Sequence, residues 1–437
     1  MDSKWVWKLG FKTIRELETE RGILASGHFE RFGVIFGRDS LISDLLILQA
    51  YKKHKDPYFL ELVKKSLLNL VLLQGKEVNI ESGEEPGKCI HEYRPDNHKH
   101  LTASSPKHKA WFTYPNGEMR NYDTADATPL LAIACYRYYA LTKDDGFLGQ
   151  VLPGVRSALD WIMEYGDHNG DGFIDAGIHP ERNYGGLDTQ NWMDSSESVF
   201  FEDGSKAIFP IAYSEVQAYA YMALRLWGRY FVLHDPHYAL RLNNFAVHLK
   251  DRFNEKFILG KGEDLYLAPA IDGSGSALDS VRSSMGHVLW ASMRKAIDGV
   301  QDSILEAKYV KPIVRRLMAE DMFEPEAGVR TLSTKSKFYK ANSYHNGSIW
   351  PHDNAIISLG LANFHYYKAA SRVATGTLKA IRHFGTPIEL FVYDDGYKDY
   401  IEGPDSGACK YQAWAAAAIM SFVAKDVKYR RQAKTGV

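Results

Sequence analysis

The chain has 437 residues, of which 45% are hydrophobic and 24% charged, a balance that excludes disordered and fibrous proteins. Its 53 basic and 54 acidic residues leave a formal net charge of −1, which provides no overall field for nucleic acid or an anionic membrane. A neutral or weakly charged substrate fits this balance better. The three cysteines are too few and too scattered for a disulfide framework, and the sequence shows neither a signal-peptide pattern nor a long apolar run. These features predict a soluble cytoplasmic protein.

Helix-period segments dominate the chain, whereas strand patterns are few and short. Ten predicted helices cover residues 39–53, 57–73, 125–142, 151–165, 211–232, 238–253, 303–317, 354–367, 369–384 and 412–423. Shorter helix candidates near Thr13 and Met285 bring the number close to twelve. Strands are predicted at residues 34–36, 264–267 and 390–393.

Long connections separate some of these helices, at residues 81–122, 168–203, 324–351 and 386–411. Loops of this length are usually functional or disordered, and their aromatic content argues against disorder. A helical scaffold with alternating short and long connections favours an all-α (α/α)6 toroid, in which the long loops form a catalytic cleft at one end. Because the chain has neither a low-complexity linker nor a close repeat, we predict a single domain over residues 1–437.

One candidate for chemistry is Asp194, in the loop sequence GGLDTQNWMDSSES. Glycosidic bond cleavage requires one protonated carboxyl and one ionised carboxylate at the same pocket. The neighbours Trp192 and Met193 would solvate a carboxyl poorly, which raises its pKa and suits a general acid. The alternative is that Asp194 caps a helix beginning near Ser195.

The second candidate is Glu389, which stands between Ile388 and Leu390 in the sequence GTPIELF. A glutamate in an apolar, strand-like run faces either solvent at an edge or a polar pocket. We predict that it activates the attacking water, with solvent exposure as the alternative.

Four further clusters combine polar and aromatic residues. In FGRDS, Arg38 and Asp39 are candidates for holding sugar hydroxyls. The alternative for Asp39 is that it caps a helix. The segment YDTADATP places Asp123 and Asp126 at a predicted helix start, where capping is the usual role. The other two clusters supply Tyr344, His345, Asn346, Trp350 and His352 in SYHNGSIWPHD, and Gln412 and Trp414 at the start of the last helix.

The run DHNGDGFID at residues 167–175 matches the beginning of a calcium-binding loop. The twelfth position is Ile178 instead of the bidentate glutamate, which excludes a complete EF-hand and favours a tight Asx and Gly turn. Zinc, phosphate-loop and esterase motifs are also missing from the sequence. We therefore predict no metal and no cofactor, with calcium binding at residues 167–175 as the alternative.

Taken together, eight segments resemble the amylo-α-1,6-glucosidase part of glycogen debranching enzymes, in the six-hairpin glycosidase superfamily. They are FGRDS, EPGKCIHEYR, YDTADATPL, QNWMDS, SEVQAYAY, YHNGSIWPHDNA, PIELF and QAWAAA, in the family's order and over nearly the whole chain. The resemblance implies an (α/α)6 barrel that hydrolyses an α-linked glucosyl unit with inversion. It also implies that Asp194 is the acid and Glu389 the base. The implied glucose pocket consists of Arg38, Asp39, Asp126, Trp192, His345, Trp350, Gln412 and Trp414.

We expect the chain to depart from that family, with neither a transferase domain nor a long N-terminal β domain. We therefore expect a short oligosaccharide or small glucoside as substrate, and the sequence leaves the oligomeric state open. The acidic stretch at residues 394–405 either sets specificity or is a solvated face. The alternatives are a related hydrolase for trehalose, glucosylglycerate or mannosylglycerate, and a catalytically silent glycan-binding barrel. An epimerase is less favoured, because only His345 and His352 are grouped.

Overall fold

Helices provide most of the regular structure in the computed structural model, which describes residues 3–105, 108–293, 301–403 and 406–435. The helices are α1 (Ser3–Glu16), α2 (Gly37–His54), α3 (Pro57–Leu72), α4 (Lys99–Thr102), α5 (Ala127–Thr142), α6 (Asp145–Glu164), α7 (Ser214–Phe231), α8 (Pro236–Lys256), α9 (Ser284–Trp290), α10 (Ala307–Leu317), α11 (Pro351–Asn363), α12 (Tyr367–Phe384) and α13 (Ala413–Thr435). A single 3-10 turn covers Gly262–Asp264. The prediction of a mostly helical protein is confirmed.

The strands are two or three residues long, lie within the loops and pair antiparallel. One sheet has three strands, Ile35–Phe36, Glu92–Arg94 and Met119–Asn121. The two-stranded pairs are Glu18–Thr19 with Gly22–Ile23, Ala212–Tyr213 with Ala270–Ile271, Ile258–Leu259 with Tyr266–Leu267, Ser292–Met293 with Asp302–Ser303, Phe323–Glu324 with Gly328–Val329, Val392–Tyr393 with Tyr397–Lys398, and Ile401–Gly403 with Ser406–Gly407.

Six helices contact one another in a closed cycle. The order of contacts is α2, α5, α7, α9, α11, α13 and back to α2. Each helix of the cycle also packs against a second helix: α3 on α2, α6 on α5, α8 on α7, α10 on α9, α12 on α11 and α1 on α13. The fold is therefore an arrangement of helix pairs around a common centre.

The helices of the cycle and the helices packed against them differ in which of their residues are buried, as one example from each set shows. Helix α11 buries every residue from Pro351 to Ala362, because neighbours surround it on all sides. Helix α10, by contrast, buries Val310, Ile313, Val314 and Leu317, the spacing of a single apolar face. The buried apolar residues form one contiguous core, from Val6 in α1 to Val423 in α13.

Local capping explains where the observed helices depart from the predicted boundaries. Helix α6 begins six residues earlier than predicted, because the Asp144 carboxylate accepts a hydrogen bond from the Phe147 backbone N–H and the helix accommodates Pro153. The segment predicted as one helix over 354–367 ends instead at Asn363, and His365 then adopts a positive φ of 68°. Among the described residues, no helix is long and apolar enough to cross a bilayer.

Candidate active site

A cleft of about 600 Å³ opens at the N-terminal ends of α2, α11 and α13. Its walls also take in residues from the loops around Glu92, Asp194 and Glu389. The cleft thus brings together most of the residues predicted for the site. The predicted residues that line it are Arg38, Asp39, Trp192, Asp194, Trp350, Glu389, Gln412 and Trp414.

Asp194 lies in a turn-rich loop with no helix at residues 190–199, so the alternative that it caps a helix is wrong. Its side chain is 26% exposed, and its Oδ2 accepts a hydrogen bond from Arg38 Nη1 at 3.1 Å. Burial raises the pKa of Asp194 above its ordinary value, while the Arg38 cation opposes that rise. The carboxyl is therefore partly desolvated but still reachable from the cleft.

Glu389 is almost completely buried, with 2% exposure, so the alternative of a solvent-facing edge is wrong. The Tyr344 hydroxyl donates a hydrogen bond to Glu389 Oε1, and the Cys409 backbone N–H donates to Oε2 at 2.8 Å. Burial raises the pKa of Glu389 to about 7, and these two hydrogen bonds limit the rise. Both oxygens are therefore oriented by fixed donors.

Asp39 lies in the first turn of α2, whose N-terminal boundary residue is Phe36, so the alternative that it caps the helix is wrong. Gln412 Nε2 donates a hydrogen bond to Asp39 Oδ1 at 3.3 Å. Burial raises the pKa of Asp39 to about 8; the Arg38 cation opposes the rise, and the carboxyls of Asp194 and Glu389 add to it. A shift in this direction favours the protonated carboxyl, which can donate a hydrogen bond.

Three tryptophans form the inner wall of the cleft. The rings of Trp192 and Trp350 meet edge to face at 5.9 Å, and those of Trp350 and Trp414 do so at 5.8 Å. Behind them, the buried His352 stacks on Trp414 at 3.7 Å and His287 stacks on Trp192 at 5.3 Å. This packing fixes the orientation of the tryptophan rings.

Two residues predicted to bind substrate do not line the cleft. Asp126 is fully buried, where its Oδ2 accepts from Arg38 Nε at 2.7 Å, and its side chain makes no capping hydrogen bond to α5. His345 is also fully buried: its ring stacks on Trp350 at 5.1 Å, and Nδ1 lies 2.9 Å from Ser195 Oγ. These buried side chains therefore support Arg38, Trp350 and the Asp194 loop without lining the cleft themselves.

The cleft also contains charged and aromatic residues that were not among those predicted to bind substrate. They include Arg31, Glu92, Arg94, Trp111, Glu197, Tyr344, Tyr400 and Glu402. Tyr344 belongs to the polar and aromatic cluster SYHNGSIWPHD. Glu92 and Arg94 lie in the motif EPGKCIHEYR, which marked their segment without distinguishing its residues. Glu402 lies in the acidic stretch at residues 394–405, for which specificity was one of two alternatives. Trp111 has no comparable local signal, because loop folding alone brings it to the cleft.

The run at residues 167–175 forms the predicted turn. Both oxygens of Asp167 accept backbone hydrogen bonds, from Asp171 N at 3.1 Å and from Gly172 N at 2.8 Å. His168 bridges Glu85 and Asp175, at 3.0 and 2.6 Å. Within the part of the chain that the structure describes, no group of three His, Cys, Asp or Glu side chains is arranged to hold a metal ion.

Known proteins resemble this chain in the sequence of one segment and in the overall fold. Residues 300–414, which include Tyr344, Glu389 and Gln412, match the family model of the mannosylglycerate hydrolase MGH1-like glycoside hydrolase domain. No curated protein gives a significant match. Among solved structures, the GH63 mannosylglycerate hydrolase from Thermus thermophilus in complex with Tris is 14% identical, with a TM-score of 0.63. The same enzyme in complex with glucose is 14% identical, with a TM-score of 0.60.

Each of those alignments covers 95% of this chain and 99% of the hydrolase. A wild-type protein described as a glycosidase is 12% identical, with a TM-score of 0.55, over 98% of both chains. This chain therefore shares the fold of these solved hydrolases. That fold is consistent with the predicted six-hairpin glycosidase superfamily. Membership of the superfamily and the closer relationship to glycogen debranching enzymes stay predictions.

Proposed function

We propose that this protein is a glycoside hydrolase that releases glucose from α-glucosides, either α-1,6-linked or short oligosaccharides, by an inverting single displacement. The observation that carries the proposal is that Asp194 and Glu389, far apart in sequence, line the same cleft. The glycosidase fold and the match at residues 300–414 support it. We also infer that the cycle of helix contacts is the predicted (α/α)6 toroid, and that residues 1–437 form one catalytic domain.

In this mechanism, Asp194 donates its proton to the glycosidic oxygen as the bond to the anomeric carbon breaks. Glu389 removes a proton from a water molecule that attacks the opposite face of the sugar. The fixed donors Tyr344 and Cys409 N–H hold the Glu389 carboxylate in one orientation. A pKa of about 7 suits a general base, because the base is then partly ionised and still basic near neutral pH.

Protonation of the acid depends on the substrate. In the free protein, the Arg38 cation stabilises the ionised form of Asp194 and so opposes protonation of this carboxyl. A sugar bound in the cleft would cover the exposed quarter of the Asp194 side chain. Because that removes water from the carboxyl, it raises the pKa of Asp194 further and favours the protonated acid.

Unpaired polar atoms around the cleft are consistent with a sugar ligand. Within the described part of the chain, Arg38 Nη2, Trp192 Nε1, Trp414 Nε1 and Gln412 Oε1 have no hydrogen-bond partner. Buried polar groups normally have partners, and all four belong to side chains that line the cleft. Sugar hydroxyls can both donate and accept, so a bound glucose would pair with such groups.

A second candidate is hydrolysis of mannosylglycerate or glucosylglycerate. The description of the family model that matches residues 300–414 favours it, as does the similarity to a mannosylglycerate hydrolase. The chemistry at the anomeric carbon would be the same, and only the sugar and leaving group would differ. A glycan-binding protein without turnover is the remaining alternative, and the paired carboxyls in the cleft argue against it.

The test is incubation with panose, isomaltose, maltose, trehalose, kojibiose, a limit dextrin, glucosylglycerate and mannosylglycerate, with detection of free glucose or mannose. Glucose from a neutral glucoside supports the proposal, and release from glycerate glycosides alone supports the second candidate. Proton NMR of the first product decides the stereochemistry. Initial β-glucose indicates inversion, and initial α-glucose contradicts it. Binding of oligosaccharides without any release would indicate the silent barrel.

A further inference from the structure

The three arginines that line the cleft are each neutralised by a carboxylate. Arg38 pairs with Asp126 at 2.7 Å, and Arg31 pairs with Glu402 at 2.6 Å. Arg94 pairs with Glu92 through its Nε, and both side chains are buried. Each arginine of the described cleft therefore has a carboxylate that offsets its charge, and Arg38 Nη2 is left as an unpaired donor beside an already neutralised cation.

The remaining titratable groups make the cleft acidic. Glu197 is exposed and accepts a hydrogen bond from Ser343 Oγ at 2.6 Å, but it forms no ion pair with any described residue. Glu389 adds a second carboxylate at the floor. The two histidines of the cleft do not offset these charges, because burial lowers the pKa of both His91 and His100. The field inside the cleft is thus repulsive to an anion.

The mouth of the cleft also provides apolar and aromatic surface. Phe32, Leu101, Trp111 and Leu187 line it, and each is partly buried. Such surfaces suit the apolar faces of a sugar ring or the carbon chain of a polyol. They offer no compensation for removing a carboxylate from water, which is costly without a charged partner.

We propose that the leaving group of the substrate is neutral, and that the cleft selects against glycosides whose leaving group carries a carboxylate. This inference rests on the proposed glycoside hydrolase function and specifies its substrate class. It separates this chain from a glycerate-linked specificity, although the fold is that of a mannosylglycerate hydrolase. Paired arginines cannot attract glycerate strongly, and Glu197 repels it.

The test compares glucosylglycerol with glucosylglycerate, which share a carbon skeleton and differ in a hydroxymethyl group against a carboxylate. Dissociation constants are measured by calorimetry on Asp194→Asn, in which the amide resembles the protonated acid and turnover does not interfere. We expect glucosylglycerol to bind at least about tenfold more tightly. Equal or tighter binding of glucosylglycerate overturns the inference, and so does undetectable binding of glucosylglycerol.

A charge variant tests the cause of the preference. In the Asp194→Asn background, Glu402→Gln leaves Arg31 without its carboxylate, so the preference for glucosylglycerol should narrow by several fold. The matched control is Glu326→Gln, which removes the acid of an exposed pair with Lys379 and does not line the cleft. An unchanged preference in Glu402→Gln, or an equal change in the control, contradicts the electrostatic origin.

The binding measurement tests the selection against a carboxylate, and the hydrolysis panel tests the hydrolase function. Either proposal can therefore be contradicted without the other. If no glycoside is hydrolysed by the unsubstituted protein but glucosylglycerol still binds more tightly than glucosylglycerate, the selection stands and the hydrolase proposal falls. If glucosylglycerate binds more tightly and is hydrolysed, glycoside hydrolysis stands and the neutral leaving group is excluded.

Discussion

The cleft has two regions, a buried floor around Arg38, Asp39 and Glu389 and an exposed mouth around Arg31, Glu197 and Glu402. The ion pairs of these two regions differ in their exposure to water. At the floor, Arg38 forms an ion pair with Asp126, which lies behind the cleft, and the two side chains are 3% and 1% exposed. At the mouth, Arg31 and Glu402 form an ion pair whose side chains are 59% and 44% exposed. Both pairs join distant parts of the chain, yet only the floor pair is shielded from water.

This difference in exposure suggests different roles for the two regions: bond cleavage at the floor and selection of the leaving group at the mouth. A buried pair has large mutual attraction, and loss of either partner leaves an uncompensated charge. An exposed pair is screened by water and salt, and contributes little to stability. We therefore expect substitutions at the floor to affect bond cleavage and stability, and substitutions at the mouth to affect mainly which leaving group is accepted.

The largest effect is expected from the two proposed catalytic carboxyls. Asp194→Asn removes the proton donor and Glu389→Gln removes the base. Each change should lower kcat by about 100- to 10,000-fold, the range typical of general acid–base catalysis. Initial rates on the best substrate of the panel measure this effect, and circular dichroism checks the fold.

The matched control for these variants is Asp188→Asn, an exposed carboxyl in the loop before Asp194. Its rate should stay within about twofold of the original, since surface substitutions away from special features have small effects. Near-normal turnover in either catalytic variant, with the fold intact, would show that the wrong carboxyl has been assigned.

The next effect compares the two ion pairs directly. Arg38→Gln leaves Asp126 buried without its cation, so the free energy of unfolding should fall by about 3–5 kcal/mol. Arg31→Gln breaks the exposed pair and should change it by less than about 1 kcal/mol. Urea unfolding of both variants measures the contrast, and similar losses in the two would remove the proposed distinction between floor and mouth.

Much of the fold was accessible from sequence, because the helices carry strong periodic patterns. Helix α10 shows this clearly, since its single apolar face has the spacing of an amphipathic helix and its predicted end at Leu317 matches. The helix α6 start was wrong, because an N-cap at Asp144 and a proline within the helix together override the signal that Pro153 usually gives. Whether a loop residue caps a helix depends on where its side chain points, and the spacing of apolar residues in the sequence does not determine that direction.

The site was predictable where a motif concentrates unusual residues, as around Asp194 and Trp350. Asp126 and His345 were assigned to the pocket, but they lie behind it, because sequence cannot distinguish a residue that touches a ligand from one that supports its neighbour. The mouth was predicted only in part. The acidic stretch that contains Glu402 was one candidate for specificity, but Arg31 is an ordinary surface residue in sequence, and only the folded chain brings the two side chains within 2.6 Å.

A moderate effect is expected from Tyr344→Phe, which removes a hydroxyl that donates to the floor carboxylate Glu389. That hydrogen bond stabilises the ionised form and lowers the pKa of Glu389, so its loss should raise this pKa further above about 7. The base is then protonated at neutral pH, and the acidic limb of kcat/KM should move to higher pH. We expect about tenfold lower kcat/KM near pH 7, with recovery at higher pH.

The control for this variant is Tyr400→Phe. Tyr400 also lines the cleft and packs against the Tyr344 ring at 5.5 Å, but no described hydrogen bond joins its hydroxyl to Glu389. The acidic limb of the kcat/KM profile of Tyr400→Phe should stay at the same pH as in the original protein. A loss of rate in Tyr344→Phe that is equal at every pH would indicate a packing role for Tyr344 and contradict the proposed control of the base.

The last prediction concerns the pH dependence of stability at the floor. Burial raises the pKa of Asp39 to about 8, whereas an aspartate in the unfolded chain has a pKa of about 3.9. Between these values, the folded state keeps a proton that the unfolded state has lost, so Asp39 makes the protein less stable as the pH rises from about 4 to about 8. Asn cannot ionise, so Asp39→Asn should melt at a temperature increasingly above that of the original protein across this interval.

Thermal unfolding from acidic to mildly alkaline pH measures that difference, with the mouth variant Glu197→Gln as control. Glu197 is exposed, so its substitution should shift the melting temperature by a small and nearly constant amount. If Asp39→Asn behaves in the same way, the Asp39 carboxyl is solvated in the folded protein, and the contrast between a desolvated floor and a solvated mouth fails where it was expected to be clearest. If the gap widens with pH, the floor contains a carboxyl that costs stability, which is the usual signature of a group retained for binding or catalysis.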